Sequence, residues 1–307
     1  YTFLKIDMEI LNNKSLSVKL KSSKLNREIF FSLMGDANHN LNITNETLTC
    51  LFLLPLMSDK SFEAIALKSG NKGFISNISK IQDIYKSWEP NFNQVEIEFV
   101  NSSSSEQTVK TGRIGCFFTG GVDSFYTFLK NKDEITDLIF VHGYDLGLEN
   151  TLLRGRVSQK IKDVAEKFGK NLIQIETNYR GFIDLYVPWG AFGHGVALMT
   201  IGHLLTDALD KIYVPSSYTY AELFPWGSHP ILDPLWSSGN LQFVHHGCEA
   251  TRINKVDYIS NEDIALKSLR VCWENPNSEY NCGRCEKCLR TMINLRACNK
   301  LDECTTF

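Results

Sequence analysis

The stretch that decides the fold is Ile114-Gly-Cys-Phe-Phe-Thr-Gly-Gly-Val-Asp-Ser124, followed directly by Phe125-Tyr-Thr-Phe-Leu129. The first apolar run predicts a buried strand, the second predicts a helix, and the paired glycines between them permit a tight turn. The backbone N–H groups of such a turn and the N-terminus of the following helix form an anion site, to which Thr119 and Ser124 add hydroxyl groups. The glycines alone also fit a plain strand-to-helix turn.

The same alternation of short apolar runs and amphipathic helices continues to the end of the chain. This pattern predicts an α/β fold with a parallel sheet of about five strands and helices on both faces. Because ligands bind beyond the carboxyl ends of such strands, the loops that follow them are the candidate sites. The predicted strands are Ile114–Phe118, Leu138–Val141, Leu172–Ile175, Ile212–Val214 and Leu241–Val244, and the predicted helices are Asp123–Lys130, Leu152–Phe168 and His194–Leu209, with further helix after Asn254.

Residues 1–108 are predicted to form a separate α+β domain of unknown role. Leu16, Val18 and Leu20 alternate as in a half-buried strand, and apolar residues between 78 and 88 recur at helical spacing. The polar run 101–107 has nothing to bury and reads as a linker, so we expect the second domain to span 109–307.

Composition excludes several classes of protein. The chain has 307 residues, 43% of them hydrophobic, and a formal net charge of −3, which does not favour a nucleic-acid-binding surface. The longest apolar stretch, residues 48–57, is too short to span a bilayer, and we expect no membrane association. The residues from Tyr1 onward do not have the pattern of a secretory signal, and a native start before Tyr1 stays open. An odd count of nine cysteines favours a reducing compartment, and hence a cytoplasmic protein. The sequence leaves open whether the protein forms a homodimer.

Four of the cysteines form the most specific pattern in the chain. Cys272, Cys282, Cys285 and Cys288 fall within seventeen residues, and two CxxC-type turns share Cys285. This spacing predicts tetrahedral zinc in a C-terminal subdomain over 272–288, because disulfides across such short loops would be strained. A closed shell of four thiolates leaves no position for water, so we expect a structural ion and not a catalytic one.

The string Thr119-Gly-Gly-Val-Asp-Ser124 resembles the PP-loop signature of the ATP pyrophosphatases, usually Ser-Gly-Gly-x-Asp-Ser. That resemblance implies that ATP and Mg²⁺ bind at this loop and that ATP is cleaved between its α- and β-phosphates to activate a substrate as an adenylate. The implied nucleotide site consists of Thr119, Gly120, Gly121, Val122, Asp123 and Ser124, together with His142 and Gly143 after the second predicted strand.

The PP-loop and the four-cysteine tail together resemble the 7-cyano-7-deazaguanine synthase family over residues 113–295, and Lys255 matches that family's loop lysine. The resemblance implies a deazapurine-like carboxylate as substrate. Two recognition segments of the family are replaced here, by residues 142–148 and 189–195. Nucleotide activation is therefore better supported than the identity of the acceptor.

A long loop, Tyr218 to Trp236, is rich in aromatic residues and prolines. Its length is typical of a binding loop or lid, and packing against the N-terminal region is an equally good interpretation. His194, His245 and His246 also fall on the predicted ligand side, where a structural role is the simpler interpretation for each.

These patterns lead to the hypothesis of an ATP-dependent, AMP-forming C–N ligase with Asp123, Ser124, Arg252 and Lys255 as catalytic residues. The two cations would neutralise charge on the transferring phosphorus. The nitrogen nucleophile would be ammonia, or an amine on a partner protein as in antiphage relatives of the synthase. Sulfur transfer to tRNA and a non-catalytic nucleotide-binding subunit are the alternatives.

Overall fold

The computed structural model describes residues 5–12, 14–21, 26–35, 39–59, 67–69, 71–99 and 110–307. Its strands are β1 (Lys5–Asn12), β2 (Ser15–Lys21), β3 (Asn26–Leu33), β4 (Leu67–Ser69), β5 (Ile97–Phe99), β6 (Ile114–Phe117), β7 (Asp137–His142), β8 (Asn171–Thr177), β9 (Lys211–Pro215) and β10 (Gln242–His246). Its α-helices are α1 (Asn45–Ser58), α2 (Lys72–Trp88), α3 (Val122–Lys130), α4 (Thr151–Lys167), α5 (Tyr179–Ile183), α6 (His194–Leu204), α7 (Arg252–Ile259), α8 (Asp263–Ser268) and α9 (Glu286–Ala297).

The fold is mixed α/β with a mostly parallel sheet, as the sequence predicts. Strands β6 to β10 coincide with the five predicted runs to within about two residues. The prediction of about five strands is too low, because the main sheet of the described residues has eight, in the order β1-β2-β3-β8-β7-β6-β9-β10. The extra strands β1, β2 and β3 pair antiparallel with one another, whereas β6 and β7 pair in parallel with Gly115 opposite Asp137. A separate parallel pair joins β4 to β5.

The predicted helices are confirmed in position, with one correction. The helix expected over 194–209 ends at Leu204, and the chain turns before β9. Nine of the eleven residues of α6 are buried. A helix that is apolar on every side carries no periodicity from which its end could be read.

The described chain divides into two compact units, each built from three stretches. The first unit is Tyr1–Arg113, Glu176–Ile212 and Phe224–His245, and the second is Ile114–Ile175, Tyr213–Leu223 and His246–Phe307. The expected boundary near 108 and the expected linker at 101–107 lie outside the described residues. The two-domain division therefore stays a prediction.

In the first unit, the apolar stretch 48–57 forms most of α1, which is buried along its length and packs against α6. Thr44 caps α1 by accepting a hydrogen bond from Thr47 N. The helical spacing noted between residues 78 and 88 belongs to α2, whose inner face buries Ile78, Ile81 and Tyr85. Among the described residues no helix combines the length and the apolar character that crossing a bilayer requires.

In the second unit, β7 is buried throughout and β6 lies beside it. Helices α3 and α7 pack on one another, as do α7 and α9. The loop after β6 leads directly into α3, which places the glycine pair at the carboxyl end of a parallel strand.

Candidate functional site

The glycine loop has the conformation of a tight strand-to-helix turn. Gly120 has φ +76°, a left-handed conformation that favours glycine, and Gly121 is the N-cap of α3. No side chain caps that helix by accepting a hydrogen bond from its first-turn N–H groups. These groups lie at the positive end of the helix dipole. This is the backbone arrangement that binds anions in other proteins.

The hydroxyl groups of the loop are used to hold its shape. Ser124 Oγ donates to Gly121 O at 3.0 Å and accepts from Thr119 N at 3.3 Å. Thr119 Oγ1 accepts from Gly121 N at 3.4 Å. Ser124 is buried, so the geometry gives it a positioning role in the loop. Its predicted catalytic role stays a prediction.

Asp123 binds two cations from a distant part of the chain. Arg252 Nη1 donates to Asp123 Oδ2 at 2.8 Å, and Lys255 Nζ donates to Asp123 Oδ1 at 2.9 Å. Helix α7, whose N-cap is Thr251, carries both cations on its first turn. Three of the four predicted catalytic residues are thus brought together in the first turn of α3 and the first turn of α7. The Asp123 carboxylate faces two cations, and Glu249 supplies a second negative charge that interacts with Lys255.

Lys255 is buried in a way that the sequence did not reveal. Its side chain is 2% exposed, and Nζ also donates to Ser216 O at 2.7 Å and lies 5.7 Å from the centre of the Tyr126 ring. Gly247, with φ +107°, makes room for it, since a Cβ there would come 3.3 Å from Nζ. A buried ammonium needs such partners to offset its lost hydration.

Tyr126, one turn into α3, connects this cluster to Glu249. Its hydroxyl donates to Glu249 Oε1 at 2.8 Å. Burial, followed by the charge and hydrogen bond of Glu249, raises the pKa of Tyr126. The hydroxyl is therefore a hydrogen-bond donor at neutral pH and not a base.

Arg270 is a neighbour of the glycine loop that sequence reasoning missed. Its backbone N–H donates to Gly120 O at 2.8 Å, and a Cβ on Gly120 would come 3.4 Å from Ser268 O. The Arg270 side chain is buried, and that burial lowers its pKa, while the charge of Asp145 opposes the shift. No residue type near position 270 marks it as part of the loop.

The two other predicted nucleotide contacts, His142 and Gly143, lie at the end of β7. His142 is fully buried; its Nδ1 accepts from Arg154 Nε at 3.1 Å, which leaves Nε2 as the donor to Gln174 Oε1 at 3.0 Å. Gly143 has φ +94° and turns the chain, with its N–H bonded to Leu146 O. Both residues have structural tasks here, and a nucleotide contact stays a prediction.

The four predicted metal ligands form one cluster. The sulfur atoms of Cys272, Cys282, Cys285 and Cys288 all lie within 4.8 Å of one another, and none is in a disulfide. The Cys282–Cys288 and Cys285–Cys272 sulfur distances are both 3.9 Å, close to the about 3.8 Å separating thiolates of a tetrahedral zinc ion with its usual Zn–S bond length. These four thiols could hold a metal ion such as zinc.

Backbone groups around the cysteine cluster suit thiolates. Cys285 N donates to Cys282 Sγ and Asn275 N donates to Cys272 Sγ, each at 3.2 Å. The Arg284 and Cys285 backbone N–H groups help lower the pKa of Cys282 to about 7. Gly283, with φ +67°, forms the turn between the paired cysteines. Such N–H···S bonds orient metal ligands from outside the coordination shell.

The predicted histidines are held by other groups. In the first unit His194 Nδ1 contacts Trp189 O at 3.0 Å and its Nε2 accepts from Ser228 N, and His245 Nδ1 lies 2.6 Å from Asp233 Oδ2. In the second unit His246 contacts Thr127 and Asn131. The structural interpretation of all three is supported by these bonds.

The long loop 218–236 is divided between the two units at residue 223. Tyr220 and Phe224 are exposed, whereas His229 and Trp236 are buried. The loop is thus neither wholly free nor wholly packed, and its binding role stays a prediction.

The thiol of Cys116 argues against one alternative activity. Cys116 is fully buried in β6, and burial raises its pKa. A thiol in that environment is a poor nucleophile. Cys50, Cys248 and Cys304 are also buried, while Cys298 is half-buried. This environment counts against sulfur transfer through Cys116.

Comparison of the chain with protein-family models, with curated proteins and with solved structures finds no match.

Proposed function

We propose that the protein is an ATP-dependent, AMP-forming C–N ligase whose nucleotide binds at the glycine loop. The observation that carries this proposal is the contact of Asp123 with both Arg252 and Lys255 beside an uncapped helix N-terminus. Backbone N–H groups and two fixed cations provide the charge that phosphoryl transfer needs, and they need no rearrangement to do so.

In the proposed reaction a substrate carboxylate oxygen attacks the α-phosphorus of ATP. The bond between the α-phosphorus and the bridging oxygen breaks, and pyrophosphate leaves with the electron pair. A nitrogen nucleophile then attacks the acyl carbon, AMP leaves, and the proton of the nitrogen passes to solvent. Arg252 and Lys255 stabilise the negative charge at phosphorus, and a bound Mg²⁺ would neutralise negative charge on the phosphates.

Asp123 has a defined task in this proposal. Both of its carboxylate oxygens accept from cations, so it fixes the positions of Arg252 and Lys255 before the nucleotide arrives. Each oxygen keeps a lone pair that can bind Mg²⁺ or a water bound to it.

The substrate class follows from the sequence resemblance and is a 7-deazapurine carboxylic acid. The nucleophile is ammonia or the amine of a partner protein. We propose that the four cysteines hold a structural zinc ion, since four thiolates close its coordination shell.

The test uses the zinc-loaded full chain with α-labelled ATP and Mg²⁺, with and without 7-carboxy-7-deazaguanine. AMP and pyrophosphate that depend on the acid support the ligase, and a nitrile or amide formed with ammonia identifies the nucleophile. Mass added to a co-expressed partner protein supports conjugation instead. ATP binding without AMP under all of these conditions would contradict the ligase and favour a non-catalytic nucleotide-binding subunit.

A further inference from the structure

Arg270 has two buried N–H donors that find no acceptor among the described residues. Its side chain is 4% exposed, and within the described parts of the chain no acceptor lies in hydrogen-bonding range of Nε or Nη2. A buried donor on a charged group is costly to leave without a partner. The guanidinium therefore has the properties of a site that a ligand completes.

The two open donors lie on one edge of the guanidinium. Nε and Nη2 of an arginine donate in parallel and in one plane, and this edge matches two oxygens of a phosphate or carboxylate. Lysine, with a point charge and rotatable donors, has no such edge. The geometry of the open atoms thus selects an oxyanion with two acceptor oxygens.

The backbone and Cβ of Arg270 lie against the glycine loop. Its N–H binds Gly120 O, one residue before the uncapped N-terminus of the nine-residue helix α3. A Cβ on Gly120 would come 3.9 Å from the Cβ of Arg270, so the two residues pack closely. Two independent features, an open helix N-terminus and a buried guanidinium without a hydrogen-bond partner among the described residues, thus belong to segments in direct contact.

We propose that Arg270 binds a phosphate group of the nucleotide through Nε and Nη2. This assignment rests on the proposed function for the identity of the ligand, but the oxyanion site itself does not. A rival explanation is that the guanidinium balances the charge of the cysteine cluster, because Cys272 lies two residues away and interacts with it electrostatically.

The experiment measures binding of pyrophosphate, of ATP and of acetate to the zinc-loaded full chain by calorimetry, together with zinc content. The variants are R270M, R270K and, as a matched control, R284M, since Arg284 lies in the cysteine turn but is 62% exposed. Loss of two charge-assisted hydrogen bonds should weaken pyrophosphate and ATP binding by about 100-fold in R270M. R270K should weaken it by about 10-fold, because it keeps the charge but not the paired donors. R284M should bind as the wild type does, and zinc content should stay unchanged in all three.

Equal pyrophosphate affinity in wild type and R270M would overturn the inference, as would a wild-type chain that binds no pyrophosphate. Acetate bound through Arg270 in place of pyrophosphate would overturn the phosphate assignment, and loss of zinc from both Arg270 variants would establish the rival. If R270M loses zinc and R270K keeps it, the pyrophosphate affinity of R270K tests the inference instead. Failure of the proposed ligase function would differ from failure of this inference. It would appear as an absence of acid-dependent AMP formation while Arg270-dependent pyrophosphate binding remained.

Discussion

Lys255 donates from a fully enclosed ammonium to Asp123 Oδ1, 2.9 Å away and 132 residues earlier in the chain. The pair joins the first turn of α7 to the first turn of α3. A carboxylate that holds a buried cation contributes to folding as well as to the charge of the site.

We expect Asp123→Ala to lose AMP formation and to lower the free energy of unfolding by about 3 kcal/mol, because it leaves the Lys255 charge buried without its counter-charge. Urea unfolding, AMP release and zinc content should be measured on the same sample. Asp133→Ala is the matched control, since Asp133 follows α3 and is exposed. Loss of zinc from Asp123→Ala would contradict the assignment and make the loop purely structural.

The cysteine cluster should hold one zinc ion per chain, and Cys288→Ala should release it. Cys288 is buried in the first turn of α9, so the loss should expose α9 and the turn before it to protease. Native mass spectrometry and limited proteolysis measure both effects. Cys298→Ala, at the end of the same helix, should keep its zinc. A metal-free wild-type chain with an equally protected tail would refute the prediction.

Two helical glycines should respond in opposite ways to replacement by alanine. A Cβ on Gly195 would lie 1.8 Å from Gly227 O, so Gly195→Ala should cost about 3 kcal/mol or more of unfolding free energy. A Cβ on Gly155 in α4 would meet no atom within 4 Å, so Gly155→Ala should stabilise by up to about 1 kcal/mol. The midpoint of denaturant unfolding measures both effects. Equal effects of the two substitutions would mean that Gly227 moves away from the new Cβ without cost.

His203 should make the protein less stable in mild acid. Burial lowers its pKa to about 4, although its bond to Trp236 O opposes the shift. The unfolded histidine, with a pKa near 6.5, therefore takes up a proton that the folded one does not. Stability is fully present above about pH 6.5 and should fall by about 1 kcal/mol per pH unit as the pH drops toward 4.

The measurement is urea unfolding from pH 7 to pH 4 on wild type and His203→Gln, whose amide can still donate to Trp236 O. The glutamine variant should show a flatter pH dependence, and acid release of any metal cancels because both proteins share it. Parallel curves would contradict the assigned protonation state of His203.

The parts of the site that the sequence predicted are local ones. Thr119 to Ser124 and the four cysteines are recognisable because the turn residues and the ligand spacing lie within short stretches of sequence. The association of Asp123 with Arg252 is predicted only from the resemblance and from the position of loops at strand ends, since no local signal spans their sequence separation of 129.

The sequence could not predict what depends on distant packing. The alternation of Leu16, Val18 and Leu20 marks one face of a strand but not its neighbours, so no local pattern predicts that β2 joins the main sheet. Arg270 stands in Ser268-Leu-Arg-Val-Cys272 without any motif, and only the fold reveals that it is buried beside Gly120. Burial of a charge is a property of the tertiary structure and not of the local string.

Stretches of the two compact units alternate along the chain, and this alternation determines the order in which the units can fold during synthesis. Synthesis must pass residue 245 before the last stretch of the first unit has emerged, and the second unit still lacks residues 246–307 at that moment. By simple order of emergence the first unit can therefore complete its fold before the second, in which helix α3 must wait, exposed, for its late packing partner α7. The interval between the emergence of α3 and that of α7 is therefore the aggregation-prone one, during which chaperones would affect the yield of folded protein.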